Sequence, residues 1–550
     1  MDSPLVAAVD LGAGFGPDGF EDDDITFQLE VDAPEPSRGT IPSERTFKDN
    51  VHDYITLDHR ICQIIDTPHF QRLRHVQQLG TSSYVWPAAS HNRFAHCLGV
   101  AHLAQKLIKT LQKKQPELRI TDEDVFCVTA AGLCHDLGHG PWSHVWDSMF
   151  IPKALPDKKW KHEDASEMMF DALIKLDHVQ VSAREATIVK ALIAGESSRC
   201  RSLSPPVKLF LFEIVANKRN GLDVDKFDYI ARDNHAIGQG ENISLNKLLF
   251  SARVIDNEIC YDIKDANSVF ELCWARFSLH KRIYNHKTAK AIEHMLIDAL
   301  LAAEPYMKIA NQIDDPQRFL YLTDDIKARV QMSTEPELAE ARDILDRIDR
   351  RKLYKCVDYR VWPWQLREFF RERVTAASIV QAARRYAAEQ GRSDHIDPSI
   401  LLGLRVDHVI VDVAVMHYGM REKNPLRYVK FYSKRHPDRA THAEAGDISH
   451  IMPGIFAEFL IRIYTRENKY HGLIQAGYRY LLKDLHEEES LQLDSPELLP
   501  TTLAEPGPRQ PSRALSRVTS LRLAPEGDDT AVDGFGQNVF TTVPPSYNGE

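Results

Sequence analysis

Several things are missing from this chain, and each absence narrows what it can be. No stretch of about 18 uncharged apolar residues occurs, so no membrane span is expected. No basic start followed by an apolar core opens the chain, so no secretory signal is expected. Cysteine is sparse. The eight residues Cys62, Cys97, Cys127, Cys134, Cys200, Cys260, Cys273 and Cys356 never form a CxxC pair, and most sit in apolar runs, which suits buried thiols in a reducing compartment. Positive charge is not in excess. A net charge of -11 argues against coating nucleic acid by bulk electrostatics, because phosphate binding needs concentrated Lys and Arg, although a local basic groove stays open. No internal repeat is found.

What is present is a globular composition, 43% hydrophobic and 27% charged over 550 residues. Residues 1–44 are acidic, with Glu21, Asp22, Asp23 and Asp24 in a row, and are expected to be disordered. Residues 487–550, dominated by Pro, Ser, Thr and Glu, are expected to behave alike. The body between them reads mainly helical. Val100, Leu103, Ala104, Leu107, Ile108 and Leu111 mark one face of a helix over about 93–113. Thr121 or Asp122 caps a second, whose Val125–Cys134 stretch carries no charge and therefore reads as buried. Further helices are expected over 162–176, 183–194, 206–217 and 268–303. Alternating valines at 409, 411, 413 and 415 predict a strand over 408–415, followed by another over 427–432, and so a small α+β region late in the body.

The chemistry begins at His135-Asp136, at the end of the uncharged helix. A His-Asp dipeptide is expected about once by chance in a chain of this size. Its position is more telling, because a carboxylate at the end of an apolar helix must find a buried partner. A metal ion is one such partner; a pair that only caps its own helix is the alternative. His96 opens the earlier helix and can point to the same place. Asp223, Asp225 and Asp228 bring three acids within six residues, one of which can complete a set of two imidazoles and two carboxylates. Mixed N/O ligation suits Fe, Mn, Zn, Co or Ni. Such a site leaves room for water and a phosphate oxygen. His139, His144 and His162 follow, either as structural histidines or as groups for leaving-group protonation and phosphate binding. Glu163 is placed to orient the His162 ring.

Five continuous strings then carry a resemblance: SHNRFAHCLGV, AGLCHDLGHGPWSH, KWKHE, NKRNGLDVDKFDYIARD and YGMREKNP. Residues 45–485 resemble the catalytic core of the SAM and HD domain-containing deoxynucleoside triphosphate triphosphohydrolases. The resemblance implies a mainly α, HD-domain metallophosphohydrolase fold, with the HD domain over 45–320 and an α+β lobe over 321–486. No SAM domain is expected before residue 45, because the acidic segment there is short and lacks helical periodicity. By resemblance the metal ligands are His96, His135, Asp136 and Asp225, for a divalent ion such as Fe, Mn, Zn or Mg. The general acid is His162, with His144 and His139 beside the scissile phosphate. Arg93, Lys226 and Tyr229 match residues that hold the triphosphate, and Gln78 and Asp233 those that hold the sugar 3′-hydroxyl. Leu79 and Tyr284 match those that press where a 2′-hydroxyl would sit, and Arg276 is also counted among the substrate residues. The implied products are a deoxynucleoside and tripolyphosphate.

The family is also activated by nucleotides bound between subunits, which implies GTP and dNTP activators and a homotetramer. Asp66, Gln71 and Arg74 match its guanine site, with Arg45 where a Lys is usual and Arg439 in the same site. Lys247, Arg253, Lys264, His286 and Lys287 match a second activator site. There Asp262 replaces an Arg and Ser268 an Asn, and an acid near a triphosphate weakens binding. Residence in nucleus or cytoplasm is expected, the nucleus on resemblance alone. The alternatives are a phosphodiesterase on other nucleotides and an idle protein that binds single-stranded nucleic acid.

Overall fold

The computed structural model describes residues 44–240, 245–389, 397–449 and 451–493. The expected disorder of residues 1–44 falls almost wholly outside them, except that Glu44 already opens a strand. Residues 494–550 also lie outside, but the tail is not featureless from 487, because the last helix runs His471–Leu493.

Three helices form the centre. The Arg93–Lys114 helix packs on the Asp122–Cys134 helix on one side and on the Val224–Ala236 helix on the other. The second starts sharply because Thr121 and Asp124 cap each other reciprocally: Thr121 Oγ1 takes the Asp124 N–H at 3.2 Å, and Asp124 Oδ2 takes the Thr121 N–H at 2.8 Å. Every residue from Phe126 to Cys134 is buried, as its lack of charge demands. Each large side chain so placed contributes about 1.5–3 kcal/mol relative to exposure. Seven of the eight cysteines are buried and all are free thiols.

Two expected helices differ. The 206–217 stretch forms only a 3-10 turn over Leu209–Glu213. Its apolar residues are consecutive and show no helical period, and the Glu213 carboxylate is taken by Arg219 at 2.6 and 2.7 Å and by the Ile259 N–H at 2.8 Å. The long 268–303 helix is two, Ala266–Leu279 and Lys287–Met307, separated by a π turn over His280–Tyr284. His286 caps the second, its Nδ1 accepting the Thr288 N–H.

Strands are more numerous than the sequence announces. An antiparallel hairpin, Glu44–Asp49 with Asp53–Asp58, precedes the helices. A four-stranded sheet joins Arg253–Ile255, Glu258–Asp262, Lys430–Ser433 and His436–His442, with one parallel pairing between the middle two. The third sheet runs Lys355–Pro363, Ala457–Thr465 and Val409–His417 in that order, all antiparallel, and carries a second hydrophobic core beneath helices Ala376–Glu389 and His471–Leu493. The valine alternation finds the strand at 409–417, but Val413 and Val415 are exposed while Ile410, Asp412, Ala414 and Met416 are buried. Among the described residues no helix is long and apolar enough to cross a membrane.

Candidate active site

Two imidazoles and two carboxylates converge where the three central helices meet. His96 lies on the first turn of its helix, whose start is fixed by Asn92 accepting the Ala95 N–H at 3.1 Å. His135 and Asp136 follow directly on Cys134, and Asp225 sits in the first turn of the helix capped by Asp223. Asp225 Oδ1 is 3.2 Å from His96 Nε2 and 3.4 Å from His135 Nε2. The two oxygens of Asp136 lie 3.6 Å from His96 Nε2 and 3.5 Å from His135 Nε2.

Each ring is held by its other nitrogen. His135 Nδ1 is 2.9 Å from the Gly132 carbonyl, which only accepts, so Nδ1 carries the proton and Nε2 keeps its lone pair. His96 Nδ1 is 2.7 Å from Asp228 Oδ2. Both Nε2 atoms are buried without a hydrogen-bond partner. Burial lowers the pKa of His96, yet Asp225 and Asp228 outweigh it and push it up to about 10, so the carboxylates demand positive charge at this point. Two imidazole Nε2 atoms facing two carboxylates fit a divalent metal, which would take the place of protons there, and one atom each from His96, His135 and Asp225 falls within 4.8 Å of the others.

A second group adjoins the first. His139 and His162 stack with centroids 3.9 Å apart, and the His144 ring stands 5.1 Å from His139 on the solvent side. The ring of His162 is oriented by Asp147, whose Oδ2 is 2.7 Å from Nδ1. Glu163, the residue expected in that role, is farther at 3.5 Å and half exposed. Burial drives His139 well below the usual imidazole range, reinforced by Arg93 and His162. Burial also lowers His162, but Asp147 outweighs it and the net direction is up. The two stacked imidazoles are thus pushed in opposite directions, His139 toward the neutral form and His162 toward the protonated one.

Both groups open into a cleft of about 570 Å³, whose walls include Gln78, Leu79, Arg93, Lys226, Tyr229, Asp233, Arg276 and Tyr284. All eight expected substrate residues therefore share one cavity. Arg93 donates to Ser143 Oγ at 2.8 Å and pairs with Asp136. Lys226 Nζ lies 2.8 and 2.9 Å from the Asp223 oxygens. At the other end Tyr284 donates its hydroxyl to Asp233 Oδ2, and His91 Nε2 is 2.8 Å from Asp233 Oδ1. Gln78 Oε1 and Arg276 Nε are buried without partners, a pattern that calls for a polar ligand. The sequence gives no signal for Asp147, and His91 is only a member of the SHNRFAHCLGV string; Asp228, one of the three candidate acids, stands behind the His96 ring and not beside its Nε2.

The expected regulatory residues fall into separate groups within one chain. Arg45 holds Asp66 by two hydrogen bonds of 2.7 and 2.6 Å, and Asp66 ends the short helix His59–Ile65. Thr67 caps the turn that begins at Pro68. Gln71 donates to the Ile65 carbonyl and accepts from Arg74 Nε, both at 2.8 Å. Arg439 is on the outer strand His436–His442. Lys247 pairs with Asp265 at 2.6 Å, Arg253 lies over the Tyr432 ring, and Lys264 is 3.4 Å from Asp262. His286 and Lys287 stand at the start of the Lys287–Met307 helix, where the His286 ring meets Trp86 edge-on.

Fold and site together define an HD-domain hydrolase. Residues 93–232 match the HD domain, and residues 243–424 match the HD associated region. The chain is 40% identical over 458 residues to human deoxynucleoside triphosphate triphosphohydrolase SAMHD1, covering 78% of this chain and 71% of that protein. It is 37% identical to the Xenopus laevis protein of the same name, covering 83% and 77%. It is 35% identical to the Dictyostelium discoideum SAMHD1 homolog, covering 80% and 81%. The chain belongs to this family of deoxynucleoside triphosphate triphosphohydrolases.

Proposed function

We propose that this protein hydrolyses deoxynucleoside triphosphates to deoxynucleoside and tripolyphosphate, under GTP activation, and so lowers deoxynucleotide pools. The observation that carries the reading is the pair of unpartnered Nε2 atoms of His96 and His135, facing Asp136 and Asp225 on the wall of a cleft. A divalent metal held by these four residues supplies Lewis acidity at phosphorus and acidifies water.

The chain's own groups supply the rest. The sugar packs against Leu79 and Tyr284, with its 3′-hydroxyl toward Asp233 and Gln78 and Arg276 nearby. Arg93, Lys226 and Tyr229 hold the triphosphate. This alignment places the α-phosphate beside His139, His144 and His162. As water's oxygen joins the α-phosphorus, the bond from phosphorus to O5′ breaks, and His162 delivers its proton to O5′. The proton that water releases restores His162 over the cycle. Asp147 favours the protonated form of His162 that this step needs, while burial favours the neutral form of His139.

GTP is read as an activator held by Asp66, Gln71, Arg74, Arg45 and Arg439, in a site completed by a second subunit of a homotetramer. A deoxynucleotide at Lys247, Arg253, Lys264, His286 and Lys287 is a weaker case, because Asp262 already lies 3.4 Å from Lys264 and competes for its charge. Residence in nucleus or cytoplasm belongs to the same reading. The test is product analysis with dGTP in the presence of GTP. Intact tripolyphosphate and deoxyguanosine are expected, whereas pyrophosphate or orthophosphate as the first product would defeat the reading.

A further inference from the structure

The Asp228 carboxylate is completely buried and takes no part in the chemistry above. Two donors meet each of its oxygens. Oδ2 lies 2.7 Å from His96 Nδ1 and 2.9 Å from Arg232 Nε. Oδ1 lies 2.6 Å from His52 Nε2 and 2.9 Å from Arg232 Nη2. Arg232 continues to Asp49, its Nη1 2.9 Å from Oδ2. Asp49 Oδ1 in turn accepts the backbone N–H groups of Val51 and His52 at 2.9 and 2.8 Å. The network therefore closes on itself through the turn of the Glu44–Asp58 hairpin. It has been given its space: a Cβ on Gly99 would fall 1.8 Å from Asp228 Oδ1 and 2.5 Å from Arg232 Nη2, so any larger residue there expels the carboxylate.

A histidine that ligates through Nε2 must carry its proton on Nδ1, and an acceptor fixed at Nδ1 sets both tautomer and ring plane. Asp228 is that acceptor for His96. Arg232 grips both oxygens from the same helix, four residues on. His52 reaches in from outside that helix and settles which oxygen His96 receives. Without His52, Oδ1 keeps one donor and the carboxylate is freer to turn about its own bond.

We propose that the Asp49–His52 turn is a positioning element of the metal centre, acting through Asp228 to hold the His96 ring with Nε2 toward Asp225 and Asp136. The proposal rests on the reading of His96 as a ligand. It gives the turn of the hairpin that also carries Arg45 a role upstream of the five strings, and it places part of the metal's affinity outside the HD helices.

The experiment measures manganese(II) affinity of the full chain by competition with a chelator, beside the thermal midpoint of each metal-free variant. Loss of a group that orients a metal ligand typically costs about 10–100-fold in affinity, and His52 acts at one remove, so His52→Ala should weaken binding about tenfold. His52→Gln retains an N–H donor and should restore most of it. Asp49→Asn, which loosens Arg232 with little change in shape, should weaken binding in the same direction and serves if His52→Ala does not fold. Ile379→Ala, in the second hydrophobic core, lowers stability without touching the network and should leave affinity unchanged. The proposal is overturned if His52→Ala and Asp49→Asn bind manganese as tightly as the parent. It is equally overturned if Gln fails to rescue and Ile379→Ala weakens binding as much. Unchanged affinity in His96→Ala would instead remove the ligand assignment on which the proposal stands.

Discussion

Asp147 Oδ2 lies 2.7 Å from His162 Nδ1, and this contact raises the imidazole pKa against the pull of burial. A general acid works only while protonated, so activity falls as pH rises through its pKa. Asp147→Asn keeps the shape and removes the charge, which lowers the His162 pKa. The basic limb of the kcat/KM profile should therefore move to lower pH, with metal content unchanged. A basic limb that stays in place in Asp147→Asn would show that the pair is only structural.

His162→Ala separates chemistry from metal binding. Its ring is not among the four metal-facing groups, so the variant should keep its metal while turnover drops about 10²–10⁴-fold, the usual worth of a positioned acid. Elemental analysis and single-turnover rates read the two effects independently. A rate near that of the parent returns His162 to a packing role beneath His139.

Asp225 bridges the two imidazoles, with one oxygen within 3.4 Å of both Nε2 atoms. Asp225→Ala should lose most bound metal and all measurable hydrolysis, and Asp136→Ala should do the same. Purified Asp225→Ala that retains stoichiometric metal would mean that another acid completes the set.

The sugar end gives a cleaner split. Tyr284 places its ring in the cleft and its hydroxyl on Asp233. A ribonucleotide would push its 2′-hydroxyl against that ring and Leu79, and burying an unpaired hydroxyl costs about 1–3 kcal/mol before any clash is counted. Tyr284→Ala should relax the preference for dGTP over GTP as substrate. Tyr284→Phe keeps the ring and should preserve the preference while raising KM. Equal hydrolysis of GTP and dGTP by the parent enzyme would end this account.

The candidate ligands His96, His135, Asp136 and Asp225 were legible because they lie in short strings tied to helix ends. Asp223, Asp225 and Asp228 show where that legibility stops. Composition makes them three equivalent acids. The structure makes one a helix cap, sets one against two imidazoles, and buries one behind His96. The difference is a matter of which way each faces from the first turn of one helix, and the partners that decide it, His52 and Asp49, lie about 175 residues upstream. Asp147 escaped for a similar reason: it acts on His162 across a loop, whereas adjacency in sequence pointed to Glu163. The helix over 93–114 was found to within a residue from its apolar face. The hairpin at 44–58 and the break at 280–286 were not, because short strands and π turns have no long period to read.

The proposed GTP activation turns on Asp66, whose two oxygens are both engaged by Arg45. The pair is about half exposed, so it contributes little to stability and can open at small cost. Guanine offers two adjacent donors on its Watson–Crick edge, N1–H and N2–H₂, and an ionised Asp66 accepts both once Arg45 swings away. Adenine presents a bare N1 acceptor there and is repelled. Arg45, once released, is free to meet the phosphates of the same nucleotide, so one movement exchanges a weak ion pair for two sets of charged contacts. Asp66→Asn turns one acceptor into a donor and removes the charge. Charge-assisted hydrogen bonds are worth about 1.5–3 kcal/mol, so the GTP concentration for half-activation should rise at least about tenfold. Metal content should not change, since Asp66 is remote in sequence from the four ligands and contacts none of them. If the site spans two subunits, GTP should also drive assembly, and Asp66→Asn should need proportionately more of it. The measurement is dATP hydrolysis across a GTP titration, paired with sedimentation. Full-speed dATP hydrolysis without GTP in the parent protein would leave the Arg45–Asp66 pair as no more than a surface tie between a strand and a helix end.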